Sequence, residues 1–137
     1  MCRTSNPGAG EFQDLEVRWR EPGKAFDEAI PLYRFVARKV AREWNKNGNC
    51  TVVAGAPYPR ELKEVREDVG EMPILIPGIG AQGGDVEATV KAGKDSRGQG
   101  MIINLSRSVL YASNSEDFAE AARGEVLRVH NLINQFR

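Results

Sequence analysis

Three short apolar runs constrain this chain most. Cys50-Thr51-Val52-Val53-Ala54, Pro73-Ile74-Leu75-Ile76 and Met101-Ile102-Ile103 are each long enough for a strand and too short for a helix. Their apolar residues run nearly continuously rather than alternating, as in strands covered on both faces. Segments of helical spacing lie between them. Leu62, Val65 and Val69 share one face of a helix from Arg60 to Val69, and Val86 to Ala92 reads as a second, shorter helix. Strands separated by helices pair in parallel, because each helix carries the chain back across the sheet. The expected class is α/β.

The alternation extends toward both ends. Residues 1–5 read as the tail of an earlier strand, ended by the turn Asn6-Pro7-Gly8-Ala9-Gly10. Residues 11–25 read as a loop or short strand. From Pro31 to Trp44, the residues Leu32, Phe35, Val36, Val40 and Trp44 fall on one helical face, with Pro31 suited to the first helical position. Ser115 reads as the cap of a last helix, with Glu116 and Asp117 near its positive end. Phe118, Ala122, Val126, Val129, Ile133 and Phe136 would form the apolar stripe of that helix. This makes about four β/α units with parallel strands in 137 residues. A complete (β/α)8 barrel takes about 250 residues. The pattern predicts the C-terminal half of such a TIM barrel, a single incomplete domain over residues 1–137.

Two strand ends carry the candidate chemistry. The Ile74 run leads into Pro77-Gly78-Ile79-Gly80-Ala81-Gln82-Gly83-Gly84-Asp85, a glycine-rich turn that opens a helix. Such a turn brings bare backbone N–H groups up to an anion. The Met101 run leads into Asn104-Leu105-Ser106-Arg107-Ser108, and an arginine fork suits phosphate. In barrels the active site lies at the C-terminal strand ends, with phosphate commonly held after the last two strands. The two ends together predict one phosphate site. Plainer readings stand beside it. The glycines alone make a tight structural turn, and Arg107 alone is a surface arginine. His130 reads as a boundary or surface residue, and Trp19 and Trp44 as packing residues. The charged run from Arg60 to Asp68 reads as a solvated helix face, with Lys63–Glu67 its favourable pair.

Composition excludes several partners. Nineteen Lys and Arg balance nineteen Asp and Glu, so no net charge draws the molecule to nucleic acid or to a membrane. No apolar run approaches the roughly 20 residues that span a bilayer, and the polar N-terminal residues do not read as a signal peptide. Cys2 and Cys50 lack metal-ligand spacing and read as reduced thiols of a cytoplasmic protein. No metal site is expected.

The assembled motifs resemble orotidine 5′-monophosphate decarboxylase, in its bacterial branch with longer loops. Arg3-Thr4-Ser5-Asn6-Pro7-Gly8-Ala9 resembles that family's fifth-strand end, Pro77 to Asp85 its seventh-strand loop, and Ile102 to Ser108 its eighth-strand end. Val53 to Pro59 adds support, although Pro57 stands where the branch more often has threonine. The resemblance implies a carbon–carbon lyase of pyrimidine biosynthesis that turns orotidine monophosphate into UMP and CO2 without metal or organic cofactor. It implies that Ser5 hydrogen-bonds the pyrimidine, that Gln82 reaches between a pyrimidine carbonyl and the phosphate, and that Arg107 clamps the phosphate. Backbone N–H groups of Gly80 and of Ser106–Arg107 would assist. The family also uses a lysine–aspartate array with a D-x-K-x-x-D run. No aspartate here is followed two residues later by lysine. The expectation is a C-terminal portion that carries binding residues without the catalytic array and is inactive alone. The alternative is a stand-alone, non-catalytic phosphate- or nucleotide-binding half-barrel. Open strand edges and an uncovered apolar face predict a homodimer or larger self-association.

Overall fold

A computed structural model describes residues 1–80 and 82–137; Ala81 of the glycine-rich turn lies outside them. The chain starts extended. The Cys2 N–H donates to the Val53 carbonyl at 3.0 Å, and Arg3 forms an isolated parallel bridge with Ala54. The turn expected at 6–10 is a 3-10 helix, Pro7–Ala9, that continues into α1 (Gly10–Gln13). Proline at its start fixes φ for a helical turn.

Residues 11–25 hold more order than their mixed polarity predicts. Strands β1 (Glu16–Trp19) and β2 (Glu28–Pro31) form an antiparallel hairpin. It is pinned to α2 (Leu32–Lys39) by Trp19, whose ring meets Phe35 edge-on at 6.0 Å, and by the Arg38 guanidinium 5.4 Å from the Trp19 ring. Pro31 closes β2 with an extended ψ of 144° instead of opening the helix. The inward residues of α2 are Tyr33 and Ala37, together with Arg38. That face is rotated from the predicted one, because salt bridges of Arg34 and Arg38 to Asp68 set how α2 lies on its neighbour. A π-helical stretch, Val40–Trp44, follows, and Trp44 is 62% exposed rather than packed.

The remaining elements alternate as expected: β3 (Val52–Val53), α3 (Pro59–Val69), β4 (Ile74–Pro77), α4 (Val86–Gly93), β5 (Met101–Asn104), then α5 (Arg107–Leu110) and α6 (Phe118–Phe136). The sheet order is β3-β4-β5, parallel throughout, with Val52 opposite Ile74 and Ile74 opposite Met101. With the Arg3–Ala54 bridge, four chain segments lie side by side in sequence order, as in a barrel wall.

Val52, Ile74 and Ile76 point to the helices and are buried with Leu62, Val65, Val69 and Val90. Each fully buried aliphatic side chain contributes about 1.5–3 kcal/mol. The opposite row runs Val53–Leu75–Ile102. Val53 and Leu75 are half-buried, and Ile102 is 51% exposed. Coverage on both faces thus holds for one face only, and β5 alternates in burial.

Two further expectations change. The charged run of α3 is not uniformly solvated: Arg66 is buried, the Asp68 side chain is 5% exposed between Arg34 and Arg38, and the i,i+4 pair is Arg60–Glu64 rather than Lys63–Glu67. Helix α6 begins at Phe118 with Asp117 before it, and Ser115 supplies no side-chain cap. Instead the Ser113 hydroxyl donates to Asp117 at 2.6 Å. Val129, Leu132, Ile133 and Phe136 pack inward, whereas Phe118 and Val126 stay exposed because the first turns of α6 reach past the core. Among the described residues no helix is long and apolar enough to cross a membrane.

Candidate functional site

The glycine-rich turn leaves β4 and folds back on itself. Ile79 bridges Gly84, the Gly83 N–H donates to the Gly80 carbonyl at 2.8 Å, and the Gly84 N–H donates to the Gly78 carbonyl at 3.1 Å. Asp85 then caps α4 by accepting the Ala88 N–H at 2.8 Å. Two of the glycines are sterically required. Gly78 has φ 101°, and a Cβ there would lie 2.8 Å from Gln82 Oε1, 2.9 Å from Pro57 Cδ and 3.0 Å from Ser5 Cβ. A Cβ on Gly84 would come within 2.6 Å of the Ala56 Cβ, so this glycine lets the turn seat against the residues after β3.

The same close approach gathers the predicted side chains. Ser5 and Gln82 both abut Gly78. Gln82 in turn lines a cavity of about 150 Å3 with Gly78, Asn104, Ser106, Arg107 and Ser108. Ser5, Gln82, Ser106 and Arg107, named from two separate strand ends and the chain start, therefore sit at one end of the sheet. Arg107 opens α5 and is exposed. Among the described residues no carboxylate lies within ion-pair distance of it, in contrast to Arg34 and Arg38. The N–H groups of Ser106, Arg107 and Ser108 donate to no carbonyl among the described residues. Gly80 is different. Its N–H is already directed at the Gly84 carbonyl at 3.1 Å, so a ligand would have to share that donor or displace the carbonyl.

Two cavity residues, Asn104 and Ser108, belong to the motif that ends β5, and the sequence assigns them no role. The signal for Asn104 was its place: a polar side chain ending an otherwise apolar strand. Arg3, also within the chain-start motif, is structural. It is 4% exposed, pairs with Asp14 at 2.8 Å and stacks 3.9 Å from the centre of the Tyr58 ring. His130 is exposed on α6, with its Nε2 2.9 Å from the Asn134 side-chain amide. Among the described residues no group of three or more His, Cys, Asp or Glu side chains is placed to hold a metal ion. A lone cation, an amide and backbone donors facing an open cavity can bind an anion.

Parallel strands in sequence order, each followed by a helix, with a cationic cavity at their C-terminal ends, define one side of a β/α barrel. No family model matches the chain. Over all 137 residues it is 51% identical to an orotidine 5′-phosphate decarboxylase from Azoarcus sp. strain BH72, of which it covers 47%. Its structure superposes on an OMP decarboxylase of Leishmania donovani with a TM-score of 0.73 at 32% identity, covering 96% of this chain and 46% of that one. The UMP synthase of the same organism gives 0.76 at 35% identity, covering 96% of this chain and 27% of that one. The chain is homologous to the C-terminal half of orotidine 5′-phosphate decarboxylases, and it spans about half the length of the curated relatives it matches.

Proposed function

We propose that this chain forms the phosphate- and pyrimidine-binding side of an orotidine 5′-phosphate decarboxylase, acting in UMP synthesis in the cytoplasm. The supporting observation is the convergence of Ser5, Gln82 and Arg107 around Gly78 and its adjoining cavity. In this reading Arg107 grips the phosphate through its bidentate fork. The Gln82 amide both donates and accepts, bridging phosphate and base. Ser5 contacts the pyrimidine edge. The N–H groups of Ser106 and Arg107 add donors, and Gly80 joins them only when its bond to Gly84 is shared.

Phosphate binding supplies energy remote from the bond that breaks. Protonating the carbanion left by CO2 needs a positioned acid, and these residues hold none. Residues 1–137 therefore act as the binding part of one incomplete domain, with turnover dependent on a lysine–aspartate array from elsewhere. The exposed Ile102 row and the unpaired edge of β5 favour self-association, read as molar mass in light scattering.

The test is to incubate the purified chain with orotidine monophosphate, measure UMP formation, and titrate UMP against wild type and Arg107→Ala. The reading expects no turnover, and UMP binding that falls about tenfold or more in the variant, the value of a lost charge-assisted hydrogen bond. Turnover abolished in the variant would overturn the claim that the array is required. Equal UMP binding by both proteins would overturn the phosphate site.

A further inference from the structure

Ser106 stands immediately before α5, where a serine hydroxyl ordinarily accepts an N–H of the first turn. It does not do so here. Its hydroxyl instead donates to Asn104 Oδ1 at 3.3 Å. That bond has a directional consequence. An amide whose oxygen is occupied by Ser106 turns its NH2 group the other way, and an amide nitrogen can only donate. Asn104 is exposed, ends β5, and lines the same cavity as Gln82 and Arg107. Its register partner is Pro77, on the face of the sheet that also carries Ile102 and away from the helices.

We infer that Asn104 is a further ligand-binding residue, its amide NH2 donating to a phosphoryl oxygen beside Arg107 and its orientation set by Ser106. The inference rests on the phosphate-site reading above and deepens it. Arg107 supplies charge, whereas Asn104 supplies a neutral donor in a fixed direction. Asparagine and aspartate have nearly the same shape, and only asparagine can present N–H groups to an anion. The site thus discriminates against any acidic replacement at position 104 in proportion to the negative charge of the ligand.

The test compares dissociation constants of UMP and uridine for wild type, Asn104→Asp, Asn104→Ala, Ser106→Ala and Arg107→Ala, with circular dichroism to confirm the fold of each. UMP affinity should fall about tenfold in Asn104→Ala and about a hundredfold or more in Asn104→Asp. Ser106→Ala should show a smaller loss, and uridine affinity should stay unchanged throughout. The penalty in Asn104→Asp should shrink as pH falls from 7 to 5, because the phosphate monoester loses one of its two charges near pH 6. Wild-type UMP affinity in folded Asn104→Asp, with affinity lost in Arg107→Ala, would overturn this inference and leave the phosphate site standing. Affinity unaffected in Arg107→Ala, or no UMP binding by wild type, would overturn both.

Discussion

Replacing Arg66 with methionine should unfold much of this protein's stability margin. Arg66 is 9% exposed and donates to four backbone carbonyls: Gly93 at 2.8 Å, Gly70 at 2.6 Å, Met72 at 2.7 Å and Gly100 at 2.7 Å. The guanidinium joins the end of α3, the end of α4 and the loops entering β4 and β5. Burial pushes its pKa down, partly offset by the charges of Asp95 and Glu71. The bonds to Gly93 and Met72 are buried, whereas those to Gly70 and Gly100 are only partly buried. A hydrogen bond to a charged group is worth about 1.5–3 kcal/mol, and a buried carbonyl stripped of its donor costs a similar amount. The two buried bonds then give about 3–6 kcal/mol. The lower half of that range is expected, because methionine also relieves the desolvation of the charge. The assay is urea unfolding followed by circular dichroism, with Arg60→Met as control. The Arg60 side chain is 87% exposed beside Glu64, and such pairs are worth less than about 1 kcal/mol. A loss below about 1 kcal/mol for Arg66→Met, or equal losses in both variants, would refute the reasoning.

Gly78→Ala should cost about 1–3 kcal/mol and weaken UMP binding. The new Cβ at φ 101° would press on Ser5, Pro57 and Gln82 together, and unchanged binding with an unchanged unfolding midpoint would oppose this. Cys2 carries a pH signature. Burial lifts its thiol from 9.0 to about 11, so the unfolded chain loses the proton first. The stability it lends is complete below pH 9 and is lost as pH rises through 11. Unfolding free energies of wild type and Cys2→Ala should therefore converge over that interval. In the folded protein at pH 8, an aromatic disulfide reagent should label the half-buried Cys50 well before the buried Cys2.

The parts of the fold read correctly from sequence are those where one physical signal dominates. The Ile74 and Met101 runs are strands because apolar, β-branched residues bounded by turn chemistry have few alternatives. Leu62, Val65 and Val69 fall inward because helical spacing leaves a single apolar face. The neighbourhood of Gln82, Ser106 and Arg107 was legible for the same reason, since parallel strands necessarily bring successive C-terminal ends together. Elsewhere tertiary contacts decided. The hairpin of β1 and β2 has two charged residues on its first strand and only Glu28 on its second, and it is held by Trp19 against Phe35 and Arg38, which no local pattern announces. Arg66 has the sequence signature of a solvated helix residue and becomes buried because four carbonyls converge on it. Trp44 has the signature of a core residue and is left at the surface by the π-helical stretch that carries it. Asn104 escaped notice because its meaning depends on a hydroxyl two residues away that declines to cap a helix.

Arg66 meets the strands where they enter the sheet, at Met72 and Gly100, whereas the cavity opens where they leave it, at Gly78 and Asn104. Four residues of extended chain along β5 and six along β4, at about 3.3 Å each, put roughly 13–20 Å between those levels. Durability and recognition are thus written at opposite ends of the same strands. A mutational library confined to the entry loops would change how long the molecule stays folded while preserving what it holds. One confined to the exposed exit side chains Gln82, Asn104 and Arg107, with Gly78 and Gly84 kept fixed, would do the reverse, so the two properties can be optimised separately and then combined with little interference.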